Sequence, residues 1–150
     1  MKRGERKQLE AGDAAPDLRL ARLGGGEARL ISEVPVLLAF FKVSCPVCQL
    51  TLPFVERLHP GARVYAISQN SAEATREFSE HYGLTMPTLL DGEEDGFPAS
   101  NAFGITHVPT MFLIEPGGTI GRVIEGWNRR EMERLGALRA GDKVPEWKSG

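Results

Sequence analysis

The sequence predicts an α/β sandwich, a central mixed sheet with helices on both faces. Three observations carry that expectation. Val36–Phe41 and Arg63–Ser68 are short, largely apolar runs, as strands buried on both sides require. Segments with helical spacing alternate with these strands. Near the end, Thr110–Ile114 and Thr119–Ile124 flank the turn Glu115-Pro116-Gly117-Gly118, which reads as an antiparallel hairpin.

Residues 1–11 are charged and without periodicity, and read as a flexible N-terminal tail. Leu18, Leu20 and Leu23 alternate with polar neighbours, Gly24-Gly25-Gly26 turns the chain, and Ala28-Arg29-Leu30-Ile31 runs back as an N-terminal β-hairpin. Beyond the first buried strand, Leu50, Leu52, Phe54, Val55 and Leu58 have helical spacing. Ser71 caps a helix through Tyr82, with Gly83 in the left-handed closing position. Pro87 falls in a short extended segment ending at Leu89-Leu90, and a short helix follows around Phe97 to Phe103. Asn128 caps a last helix through about Leu138. The domain is expected to span residues 12–140, with 141–150 as a C-terminal tail.

At 150 residues the chain fits one domain. That length buries roughly 68–70% of the unfolded surface, so no covalent staple is required. A net charge of −2 gives no ground for nucleic acid or an anionic membrane as partner. No run approaches the roughly 20 apolar residues of a membrane span. The basic start Met1-Lys2-Arg3 is followed by Leu9-Glu10-Ala11-Gly12-Asp13 rather than by the apolar core of a signal peptide. The chain as it stands is therefore expected in the cytoplasm; a leader already removed would fit an extracytoplasmic location.

The cysteine count is the most informative feature. Cys45 and Cys48 are the only two, and a bridge between them closes too small a loop to stabilise the fold much. Redox exchange and metal binding are better reasons for the spacing. The pair sits where a buried strand gives way to a helix, which puts Cys45 at the helix N-terminus. Unpaired N–H groups and the positive end of the helix dipole favour a thiolate there, the nucleophilic form. Pro46 fits the first helical position, and Cys48 lies one turn in on the same side. Cys45 is thus the attacking thiol and Cys48 the resolving one. Zinc would need four ligands, and His59, His81 and His107 lack ligand spacing, so no metal or other cofactor is expected. Two inert buried cysteines would leave both the spacing and the strand–helix junction unexplained.

Val108-Pro109-Thr110 is the second feature. A proline entering a buried strand forfeits a ladder hydrogen bond. A cis bond there would turn the chain sharply and leave the Val108 backbone free to pair with an extended partner; an ordinary trans proline at a strand start is the plainer alternative.

Phe40-Phe41-x-x-x-Cys45-Pro46-Val47-Cys48, Pro53 and Val108-Pro109-Thr110 together resemble the thioredoxin superfamily. Gly12-Asp13-x-Ala15-Pro16-Asp17-x-x-Leu20, the hairpin Phe112-Leu113-Ile114-Glu115-Pro116-Gly117-Gly118-x-Ile120 and Glu125-Gly126 resemble its thioredoxin-like branch, the alkyl hydroperoxide reductase/thiol-specific antioxidant group. The resemblance covers residues 12 to about 138. It implies a thioredoxin fold with an N-terminal β-hairpin and a βα insertion. It also implies a cis Pro109 packed against the cysteine pair, and thiol–disulfide oxidoreductase or antioxidant activity. Substrate would contact Val108, Pro109, Pro46 and Val47, and the partner would be a protein disulfide or a thioredoxin- or glutathione-type thiol.

The chain departs from the pattern in four places. Ser44 stands where thioredoxins usually carry Trp, and Pro46-Val47 replaces Gly-Pro. Ala39 replaces the buried acid that assists proton transfer, and Thr51 stands where relatives of cytochrome maturation often have Glu. Lys42 and His107 are the nearest candidates to raise the local positive potential. A peroxiredoxin is the second reading, but its Pro-x-x-x-Thr-x-x-Cys pattern aligned on Cys48 would place Phe41 at the proline and Cys45 at the threonine. A module that binds extended peptides at Pro109 without turnover is the third.

Overall fold

A computed structural model describes residues 7–150. The expected hairpin pairs β1 (Arg19–Ala21) with β2 (Glu27–Arg29). β3 (Val36–Phe41), β4 (Arg63–Ser68), β5 (Thr88–Leu90), β6 (Thr110–Ile114) and β7 (Ile120–Glu125) form one sheet in the order β5-β4-β3-β6-β7. β3, β4 and β5 run parallel, β6 is antiparallel to β3, and β7 is antiparallel to β6. This is the mixed sheet that the sequence predicts. β3 is central and all six of its residues are buried, which is why it carries no polar alternation.

Successive residues of a strand point to opposite faces, so Phe40 and Phe41 sort the helices. α1 (Pro46–Glu56) follows β3, and α2 (Ala72–Tyr82) links β4 to β5. Phe41 meets Phe78 of α2 at 5.1 Å between ring centroids. Phe40 meets Phe112 of β6 and also Phe103 of α3 (Pro98–Phe103), at 5.9 and 5.3 Å. Helices therefore cover both faces. α2 is capped as expected: Ser71 Oγ accepts the Ala74 N–H at 3.2 Å, and Gly83 closes the helix with φ 65°.

α4 (Arg129–Leu135) begins at its expected cap, where Asn128 Oδ1 accepts from Glu131 N at 3.1 Å. It ends three residues earlier than the sequence suggests, because Gly136 takes φ 84° and the Ala137 N–H turns back to Met132 O.

Both expected tails have described residues in contact with the rest of the chain. Residues 1–6 of the N-terminal one lie outside the described residues. From Leu9 the chain is tethered, since the Leu9 N–H donates to Phe103 O at 3.0 Å. Gly12 N–H then donates to Ile120 O and Ile120 N–H to Asp13 O, along the outer side of β7, while Leu23 N–H donates to Thr88 O beside β5. At the other end, Arg57 grips the Asp142 carboxylate with two nitrogens at 2.8 and 3.3 Å, and Trp127 Nε1 donates to Pro145 O at 2.6 Å. β8 (Trp127–Asn128) then pairs antiparallel with β9 (Trp147–Lys148). A two-residue ladder leaves no periodicity to read.

Candidate active site

The buried β3 strand ends at Phe41, and the loop Lys42–Ser44 delivers Cys45 to the start of α1. The loop is braced from both sides: Asn70 Oδ1 accepts the Val43 N–H at 2.8 Å, and Gln49 Nε2 donates to Val43 O at 2.9 Å. Cys45 is the N-cap of α1, with φ −85° and ψ 116°, and Pro46 fills the first turn. The Cys45 sulfur accepts the Cys48 N–H at 3.1 Å, so negative charge arriving on it faces a backbone donor and the positive helix end.

Cys45 is half-buried and Cys48 has no exposed surface, and both thiols are free. Burial pushes the Cys48 thiol up, and its hydrogen bond with Cys45 adds to the rise. The Lys42 N–H and ammonium oppose it. Of the two candidates to raise the local positive potential, Lys42 is the one that favours the Cys48 thiolate. His107 turns aside, with Nε2 at 3.1 Å from Glu125 Oε1 and Nδ1 at 3.0 Å from Thr106 Oγ1. Ala39, at the position of the missing acid, is fully buried and pairs in register with Met111 and Ala66. Thr51 is buried too and spends its hydroxyl on Val47 O at 2.7 Å.

A thiol held protonated by folding makes stability depend on pH. The contribution is complete below the ordinary cysteine pKa of about 8.5 and is lost as pH rises above it, because the unfolded chain then binds fewer protons than the folded one. Above about pH 8.5, calorimetry of the reduced protein should show Tm falling more steeply than in Cys48→Ala. Parallel slopes would contradict the burial argument.

The second motif completes the site. The Val108–Pro109 peptide is cis, and the Cys45 thiol donates to Val108 O at 3.6 Å across 63 positions of sequence. Val108 and Cys45 are thus in contact. Pro46 is exposed and Val47 half-buried beside them.

Three features of the surroundings were not foreseen. A cleft of ≈ 520 Å³ is lined by Lys42, Gln69, Asn70 and Phe97, among others, and neither cysteine contributes to it. Gln69 Nε2 donates to Ser100 Oγ at 2.8 Å, and that hydroxyl bonds the buried carboxylate of Asp91 at 2.5 Å. Gln69 and Asn70 follow β4 directly, and their place at the end of a buried strand is the one signal that could have found them. A larger cavity of ≈ 770 Å³ lies at the opposite end of β3 and β4, around Pro35, Pro60 and Arg63, away from the cysteines. Among the described residues, no group of three or more His, Cys, Asp or Glu could hold a metal ion.

The sequence model of the AhpC/TSA family matches residues 11–123. The thiol–disulfide oxidoreductase ResA of Geobacillus thermodenitrificans is 30% identical over 135 residues, covering 85% of this chain and 76% of that protein. The thioredoxin domain of a thiol–disulfide oxidoreductase from Bacteroides vulgatus superposes with a TM-score of 0.72 at 20% identity, over 80% of this chain and 91% of that one. A peroxiredoxin-like protein from Aquifex aeolicus superposes with 0.71 at 16% identity, over 87% and 88%. Both structures show the thioredoxin fold and, at such identities, the fold alone. Sequence and fold agree: the chain belongs to the AhpC/TSA family, and the relatives it matches in sequence include thiol–disulfide oxidoreductases.

Proposed function

We propose that Cys45 and Cys48 exchange a dithiol for a disulfide with protein thiol substrates, Cys45 attacking and Cys48 resolving. One observation carries the assignment: the half-buried Cys45 sulfur is held between the Cys48 N–H and the Val108 carbonyl, at the mouth of a helix. In the reducing direction, the Cys45 thiolate attacks a substrate disulfide, and one substrate sulfur leaves as a thiolate and takes up a proton. Cys48 then gives up its proton and attacks the Cys45 sulfur. The second substrate sulfur leaves, and two electrons have passed from the pair to the substrate. Oxidation is the same path reversed.

Cys48 must lose a proton from an apolar site without a neighbouring acid at position 39 or 51. Lys42, whose ammonium and N–H both favour the Cys48 thiolate, takes the supporting part. An extended substrate pairs with the backbone of Val108, flanked by Pro46, Val47 and Pro109. The proposal includes a cytoplasmic setting, where thioredoxin- or glutathione-type thiols keep the pair reduced. Among the described residues, no helix is long and apolar enough to cross a membrane.

Oxidised glutathione should convert the protein to a form two hydrogens lighter by mass, and dithiothreitol should reverse it. With dithiothreitol as reductant, the protein should accelerate the reduction of insulin. Thiols that both stay open to alkylation under strong oxidation would end the redox reading. A measured potential near about −270 mV supports a reductant, whereas one near about −120 mV overturns the cytoplasmic part of the proposal.

A further inference from the structure

The segment after α4 is led, contact by contact, to the redox site. Asp142 is held by Arg57 and Pro145 by Trp127. Arg129 N–H donates to Glu146 O at 2.9 Å, and its guanidinium meets the Glu146 carboxylate at 3.0 Å. β9 then pairs with β8 in the register Asn128↔Trp147 and Trp127↔Lys148. Two residues on, Gly150 rests against the cis-proline loop. A Cβ added to Gly150 would overlap the Val108 carbonyl oxygen and come within 3.1 Å of Pro109 N. Gly126 is approached as closely by the Lys148 carbonyl, and its N–H donates to Pro109 O at 2.8 Å.

A backbone from the protein itself therefore already lies where an incoming chain would pair. We propose that residues 146–150 act as an internal occupant of the substrate groove and set its specificity. Small disulfides reach Cys45 past this strap, while extended polypeptides must displace it. The inference rests on the reading of Val108 as the backbone that pairs with substrate.

The strap is built to lift. Its outer portion is held by a ladder two residues long, Trp147 is 61% exposed, and the Arg129–Glu146 pair is open to solvent. A ladder this short is marginal in water, and an exposed ion pair adds little. The anchors before it are firmer: the Arg57–Asp142 pair is partly buried and the Trp127 side chain is fully so. The hinge falls between Pro145 and Glu146. Because a Cβ at Gly150 would strike Val108 O, a chain that replaces the strap in the same path presents glycine at that point.

The test reads access to Cys45 without any redox turnover. Reduced protein is alkylated in parallel with iodoacetamide and with a glycine-rich peptide carrying an iodoacetyl cap, and the rates at Cys45 are followed by mass spectrometry. If the strap is open about one-tenth of the time, releasing it raises the peptide-to-iodoacetamide rate ratio about tenfold. That rise is expected in the double variant Trp147→Gly, Lys148→Pro, which cannot maintain the β8–β9 ladder. It is also expected in Gly150→Val, which leaves the ladder in place and keeps the test standing if the double variant fails to fold. A ratio that stays constant in the folded variants overturns the proposal, and so does a fall, which would make the segment part of the binding wall. Failure of the redox reading shows separately, in the glutathione experiment.

Discussion

Cys45→Ser brings insulin reduction down to background, an expected loss on the order of 10³-fold or more, because the variant lacks the sulfur that attacks. Cys48→Ser gives a different result. The first attack survives, resolution does not, and mixed disulfides through Cys45 accumulate on non-reducing gels. The asymmetry follows from access, since Cys48 has no exposed surface and Cys45 is half-open at the helix mouth. Protonation acts in the same direction, because burial holds Cys48 as a thiol until Cys45 is engaged. Equal trapping by the two variants, or trapping through Cys48 alone, would reverse the assignment.

The largest stability effect outside the cysteines is expected at Asp91. The N-cap of α3 is Phe97, whose side chain has no oxygen with which to cap the helix and whose φ is 53°. The buried Asp91 carboxylate supplies the missing acceptor from another part of the chain, taking Ala99 N at 2.7 Å, Ser100 N at 2.8 Å and Ser100 Oγ. Burial raises its pKa and the three hydrogen bonds pull it back, with burial ahead. Asp91→Ala strands two buried N–H groups and a hydroxyl, at a cost of about 2–4 kcal/mol. For a chain of this size that lowers Tm by roughly 5–15 °C. Asp91→Asn, which keeps one acceptor and sheds the charge, should lose less. A Tm for Asp91→Ala within about 1 °C of the parent, by thermal unfolding, would remove Asp91 from this role.

What the sequence made legible was what depends on near neighbours. The apolar runs gave β3 and β4, Ser71 and Asn128 gave their caps, and Cys45-x-x-Cys48 beside a strand end gave the redox pair. Pro109 stood out because a ladder tolerates proline badly. The remainder depends on partners far apart in the chain. Asp91 caps a helix that starts seven residues later, Gln69 meets Ser100 across 31 positions, and Arg57 finds Asp142 across 85. Apart from the place of Gln69 at the end of β4, none of these residues has a local pattern that distinguishes it from an ordinary polar side chain. The same holds for β9, whose pairing is fixed by where α4 and its connection deliver it. α4 stops three residues short of the expected Leu138 because Gly136 closes the helix.

The stretch from Gly12 to Leu23 lies along β7 at one end and along β5 at the other, and these are the two outermost strands of the sheet. An outermost strand ordinarily offers a row of unspent donors and acceptors on which a second molecule can template itself. Here part of each row is already taken by the same short length of chain. Sheet-to-sheet association of two copies, whether by strand exchange or by fibril-like stacking, must first peel that length away. Because one segment guards both margins, they are uncovered together, and resistance to self-association rests on how firmly residues 12–23 hold.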